Sequence, residues 1–134
     1  MPYLVDANVL SEPTKLVPES TVLEWLQQNE RQIWVNPIIV GEMKYGILKL
    51  PEGRKRRALL EWYHAGINLI PLVKMDLETS NCWALLLADL RKRGKAMPIK
   101  DSLIAASAKQ HGLTIVTRNV KDFQVTGLPI HNPF

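Results

Sequence analysis

Three carboxylates stand where apolar segments end or where apolar helix faces begin: Asp6, Glu42 and Asp101. Asp6 directly follows Tyr3-Leu4-Val5. A carboxylate placed there lies at the edge of a sheet, partly desolvated, and costs free energy unless a cation meets it. The competing reading is a helix cap, with Asp6 satisfying free backbone N–H groups of a short helix that begins near Asn8. Glu42 falls at helical offsets of three and four from Ile38, Ile39, Tyr45 and Gly46, a largely apolar face, with Gly41 and Gly46 leaving room for close approach. An ion pair with Lys49 or Arg57 is its alternative. Asp101 follows Met97-Pro98-Ile99-Lys100, and Ile104, Ala105 and Ala108 share its helical face. It opens a helix at the positive end, where the dipole alone also favours a carboxylate. Past a further apolar run, Thr117-Arg118-Asn119-Val120-Lys121-Asp122-Phe123 adds an amide and a second carboxylate, Asn119 and Asp122, each also a candidate cap.

Each position is ambiguous alone; the set converges. Carboxylates brought within a few ångströms cannot all stay ionised unaided, because like charge raises at least one pKa, so the arrangement implies a bound cation. Hard oxygen donors favour Mg²⁺ or Mn²⁺. Zinc has no ligand set here: there is one cysteine, Cys82, and the three histidines, His64, His111 and His131, are scattered.

Short apolar runs alternate with helical segments, and this alternation must position those carboxylates. The runs Tyr3-Leu4-Val5, Ile33-Trp34-Val35, Leu69-Ile70 and Leu113 to Thr117, with a weak fifth at Pro129-Ile130-His131, read as parallel strands covered on both faces. Helices are predicted from Thr21 to Asn29, Pro37 to Leu50, Arg54 to His64, Asp76 to Arg93 and Ile99 to His111. In the fourth, Trp83, Leu86, Leu87 and Leu90 form one core stripe. Asn36-Pro37 marks a helix start and Gly112 a helix end. The pattern calls for a doubly wound α/β sandwich, with chemistry beyond the C-terminal ends of the strands.

A chain of 134 residues, 46% hydrophobic and 22% charged, is one globular domain, 1–134, and leaves no room for a second core. A lone cysteine forms no internal disulfide and suits a reducing compartment. With no apolar leader and no run approaching the ~20 residues that span a bilayer, the expectation is a cytoplasmic protein without membrane attachment. Seventeen basic residues against 13 acidic give a net charge of +4. Eight of the basic residues sit in two runs, Arg54-Lys55-Arg56-Arg57 and Arg91-Lys92-Arg93 with Lys95. Such runs either grip a phosphate backbone or form a solvated face, and the second also suits a helix C-terminus.

Four blocks, in order, resemble the PIN-domain ribonucleases, in particular the VapC-type toxins of bacterial toxin–antitoxin pairs. They are Leu4 to Glu12; Gly41-Glu42 with Tyr45-Gly46-Ile47; Pro98 to Ala108; and Thr117 to Phe123. The similarity runs from residue 3 to residue 134. It implies a three-layer α/β/α fold with a mostly parallel five-stranded sheet, and Mg²⁺- or Mn²⁺-dependent endonucleolytic cleavage of RNA. It also implies an acidic catalytic and metal-binding set carried over to Asp6, Glu42 and Asp101. Asn8 resembles a residue that orients the first aspartate, and Thr117 one that positions metal or phosphate. The implied partners are RNA, a cognate antitoxin whose C-terminal segment covers the site, and a second copy of the toxin.

The resemblance breaks in two places. Ala7 stands where the family often has threonine, and the fourth acidic position falls on Asn119, so either this amide or Asp122 supports the metal site. Two other classes compete. A phosphoacceptor signalling domain requires an aspartate after the third strand, where this chain has Leu69-Ile70-Pro71-Leu72. A non-cleaving RNA-binding module would use the same basic runs, but has no need of all three acids.

Overall fold

A computed structural model describes residues 2–134. Four strands make one parallel sheet: β1 (Tyr3–Val5), β2 (Ile33–Trp34), β3 (Thr114–Val116) and β4 (Ile130–His131), in the order β2-β1-β3-β4. Leu4 and Val5 point to opposite faces of β1, as do Ile115 and Val116 on β3, and all four are fully buried. Both faces of the sheet are therefore covered by helices, which makes the fold a three-layer α/β/α sandwich.

The helices described are α1 (Ala7–Leu10), α2 (Ser20–Gln28), α3 (Pro37–Leu48), α4 (Arg54–Ala65), α5 (Leu77–Lys92), α6 (Ile99–His111) and α7 (Val120–Gln124). Their ends follow local chemistry. The Asn36 side chain accepts from the Ile39 N–H at 2.9 Å ahead of Pro37, and Asp76 and Thr79 close a reciprocal capping box on α5. Gly112 ends α6 with φ 65°, a left-handed conformation that glycine adopts without steric cost. Leu86 and Leu90 bury the α5 stripe, while Trp83 donates its indole N–H to Ser102 on α6 at 2.8 Å. The residues Ile104 to Ala108 are all buried, so the small side chains of α6 let it lie tight on the sheet.

The strand expected third in the chain, at Leu69-Ile70, does not form, whereas the weak last run does, as β4. Leu69 and Ile70 end a 3₁₀ turn, Ile67–Leu69, with their N–H groups committed to the carbonyls of Gly66 and Ile67. Pairing resumes beyond it only as a single parallel bridge between Val35 and Leu72, because Pro71 has no N–H to extend a ladder. The sheet has four strands among the described residues.

β1 is paired with β2 on one side and with β3 on the other, so the chain reverses its direction of winding around β1. A crevice opens at such a point, beyond the carboxyl ends of the central strands. Val5 is in register with Val116, which puts the next residues, Asp6 and Thr117, side by side at that edge.

Candidate metal centre

Asp6 is both strand terminus and cap. Its Oδ1 accepts the Ala7 N–H at 2.8 Å, capping α1, while its own N–H donates to the Val116 carbonyl at 2.9 Å. Its Oδ2 accepts the hydroxyl of the fully buried Thr117 at 2.9 Å and the Asn8 amide at 3.3 Å. Asn8 also donates to the Thr117 hydroxyl at 3.3 Å and accepts the Arg118 N–H at 3.0 Å; the Asn119 N–H donates to the Thr117 hydroxyl at 3.1 Å. Asn8 and Thr117 thus bind the ends of β1 and β3 into one network around a single carboxylate.

Glu42 reaches this edge from α3 and Asp101 from the first turn of α6, both half-buried. Burial pushes the Asp6 carboxyl above its ordinary value; the Thr117 hydrogen bond opposes this, and the negative charges of Glu42 and Asp101 add to it. Asp101 is also raised, first by desolvation, with Lys100 opposing and the charges of Asp122 and Glu42 adding. The expected acids therefore do act on one another. They are not drawn into a finished cage: among the described residues no three His, Cys, Asp or Glu side chains are gathered closely enough to hold a metal ion.

The cation that meets Glu42 is neither Lys49 nor Arg57. Lys100, adjacent to Asp101, donates to Glu42 Oε2 at 2.7 Å, and this hydrogen bond is the first cause holding its ammonium above the usual lysine range. The other oxygen, Glu42 Oε1, is buried without a hydrogen-bond partner. Gly41 and Gly46 do not serve close approach, since a Cβ at either would meet nothing within 4 Å. The apolar character of the face is mixed as well: Ile39 is buried, but Tyr45 is exposed.

Asn119 and Asp122 are both exposed on the rim, at the start of α7. Of the two, Asp122 carries a charge that Asp101 feels, and the Asn119 side chain makes no cap. Beside Glu42 a cleft of about 350 Å³ is lined by Asn8, Ser11, Met43, Lys49, Leu59 and Trp62, among others. Trp62 is the one tryptophan in it; Trp25 packs on Tyr3 and His131, and Trp83 holds Ser102.

The basic runs lie at the start of α4 and the end of α5, and two of their eight members are engaged. Arg56 is half-buried and pairs with Glu52 at 3.7 Å, while Arg93 binds Asp89 at 2.8 Å and the Val125 carbonyl at 2.7 Å. Arg54, Lys55, Arg57, Arg91, Lys92 and Lys95 are exposed.

An oxygen-only donor set with one buried, unpartnered carboxylate oxygen suits a hard divalent cation. Mg²⁺ commonly keeps several waters and takes only one or two protein carboxylates, so no closed cage is required of the protein. Lys100 went unnoticed in the sequence, although its position next to Asp101 was its signal: a lysine in the first turn of a helix opposes the dipole and needs a nearby anion.

Residues 3–127 match the family model described as PIN domain. The chain is 34% identical over 136 residues to the VapC ribonuclease Y4jK of Sinorhizobium fredii, covering 98% of this chain and 96% of that protein. It is 31% identical over 137 residues to toxin FitB of Neisseria gonorrhoeae, covering 98% and 97%. Among solved structures, a chain of FitAB bound to an IR36 DNA fragment superposes with a TM-score of 0.90 at 30% identity, covering 98% of this chain and 94% of that one.

Proposed function

The chain belongs to the PIN-domain family, and from that membership we propose that it is an endoribonuclease toxin of the VapC kind, dependent on Mg²⁺ or Mn²⁺ and restrained by a cognate antitoxin. The observation that carries the reading is the charge arrangement at the carboxyl edge of the sheet. Asp6 and Asp101 are each desolvated and each burdened by the charge of Glu42, in a chain that places a free carboxylate oxygen at the same edge. Like charges gathered at a desolvated edge cost stability unless a cation meets them, which favours a metal-binding role for this edge.

Asp6 and Asp101 would be the principal ligands and Glu42 a ligand directly or through water, with Asp122 or Asn119 supporting from the rim. The divalent ion would supply a nucleophilic water at neutral pH and neutralise charge on the phosphodiester under in-line attack. The chain's own contribution is positional. The Thr117 hydroxyl and the Asn8 amide fix the Asp6 carboxylate through Oδ2, and the Ala7 N–H fixes it through Oδ1. Hydrogen bonds from residues behind a ligand orient it before a metal binds. The exposed members of the basic runs would hold the RNA backbone by charge without reading sequence.

The relatives include a toxin named FitB and a complex named FitAB with DNA, which supports an antitoxin partner for this chain. A homodimer of the toxin belongs to the same reading. Among the described residues no helix is long and apolar enough to cross a membrane. The test is cleavage of a panel of structured RNAs by the purified chain, with and without chelator. Cleavage that stops with chelator and returns with Mn²⁺ supports the proposal. RNA binding without cleavage under metal-replete conditions replaces it with the non-cleaving module.

A further inference from the structure

Lys100 stands in an unfavourable place for a cation. It lies in the first turn of α6, where the helix dipole presents positive charge. Its side chain is half-exposed, free to reach solvent, yet its ammonium sits 2.7 Å from Glu42 Oε2, within electrostatic reach also of Asp101 and Asp6. One positive charge thus faces three carboxylates and leaves them under-neutralised. Glu42 Oε1 remains buried with no donor among the described residues. A divalent cation would satisfy that oxygen and supply twice the charge, but the ammonium on Oε2 stands in its way.

We propose that Lys100 is a tethered competitor for the metal site: in the metal-free protein its ammonium holds Glu42, and a divalent ion must displace it to bind. Lys100 then sets the concentration of metal at which the site assembles, acting through Glu42 as a positioning residue. This rests on the metal-binding reading given above. It differs from a structural ion pair in the sign of one effect, because a purely structural lysine helps to order Glu42 and its loss weakens metal binding.

Mn²⁺ binding to the full chain without RNA, measured by titration calorimetry, separates these. Lys100→Met should lower the apparent Kd about three- to fivefold, the size of a half-exposed ion pair of up to about 1 kcal/mol. Lys100→Arg, which keeps the charge, should stay closer to wild type. The rise in melting temperature on adding Mn²⁺ should be larger for Lys100→Met than for wild type, since the variant starts with its carboxylates uncompensated. If wild type binds Mn²⁺ and Lys100→Met binds it equally or more weakly, the competitor role is wrong and the metal reading stands. If neither protein binds Mn²⁺, the metal reading fails and takes the competitor with it.

Discussion

Asp6 is held in place by the fold and disfavoured by its own charge. As cap of α1 and acceptor of the Thr117 and Asn8 donors it is structurally integrated, yet burial and its acidic neighbours leave its charged form disfavoured. Thr117→Val removes the hydroxyl from a fully buried position while keeping its shape. Loss of an outer-shell partner costs about 10–100-fold in metal affinity or activity, and that is the range expected in a cleavage assay. Wild-type rates for this variant would show that Asp6 needs no orienting. The raised Asp6 pKa also carries a pH dependence. The unfolded carboxyl titrates near 3.8 and the folded one higher, so between these values the folded state binds more protons and stability falls as pH rises. The penalty is complete above the folded value and absent below about 3.8. Asp6→Asn, in chelator, turns one acceptor oxygen into a donor that faces the Ala7 N–H or the Asn8 amide, but its melting temperature relative to wild type should rise from acid to neutral pH as the wild-type penalty sets in. Melting curves across that range check it; a gap independent of pH would place its origin elsewhere.

At the scale of elements, the strands that position the site were legible because Tyr3-Leu4-Val5 and Leu113 to Thr117 are short, apolar and followed by polar residues, and both pair where expected. Pro37 to Leu48, Leu77 to Lys92 and Ile99 to His111 were legible from caps and apolar stripes, within one or two residues at most ends. Leu69-Ile70 was misread because two apolar residues carry no periodicity; the Gly66 turn and Pro71 decide their conformation. That Asp6, Glu42 and Asp101 come near one another was legible, since strand ends and helix starts are local features. The site's internal wiring was not: the Lys100 to Glu42 pair joins residues 58 apart in the chain, a pairing only the packing of α3 and α6 creates. The same holds for the basic runs, whose eight members look equivalent in sequence although Arg56 and Arg93 are tied to acidic neighbours. Neutralising Arg54, Lys55 and Arg57 should weaken binding to all RNAs and flatten its salt dependence, by about 0.7 in log–log slope per lost contact on single strands. Replacing Arg93 should instead cost stability with little change in slope. Salt titrations of RNA affinity distinguish the two, and an unchanged slope after neutralising both runs would make them a solvated face.

For the molecule as a whole, the acidic edge that would bind metal is also where an inhibitor would neutralise the site. A partner that inserts an arginine or lysine among Asp6, Glu42 and Asp101 forms charge-assisted bonds with the same oxygens a metal would use. Titrating Mn²⁺ into the toxin–antitoxin complex should then raise its apparent dissociation constant. A partner that inhibits tightly with no response to metal must act by blocking the RNA path, for which the Trp62 cleft beside Glu42 is the natural seat.

The most direct measurement is the Mn²⁺ dependence of RNA cleavage by wild type and Asp101→Asn, side by side, with melting curves to show that both are folded. Asp101 is half-buried and its side chain makes no hydrogen bond to another of the described residues, so the variant should fold as wild type does. Wild type should cleave only with metal, and Asp101→Asn should lose more than the about 100-fold that an outer-shell change removes. Cleavage by the folded variant at the wild-type rate, or wild-type cleavage that persists in chelator, would contradict a metal centre at this edge of the sheet.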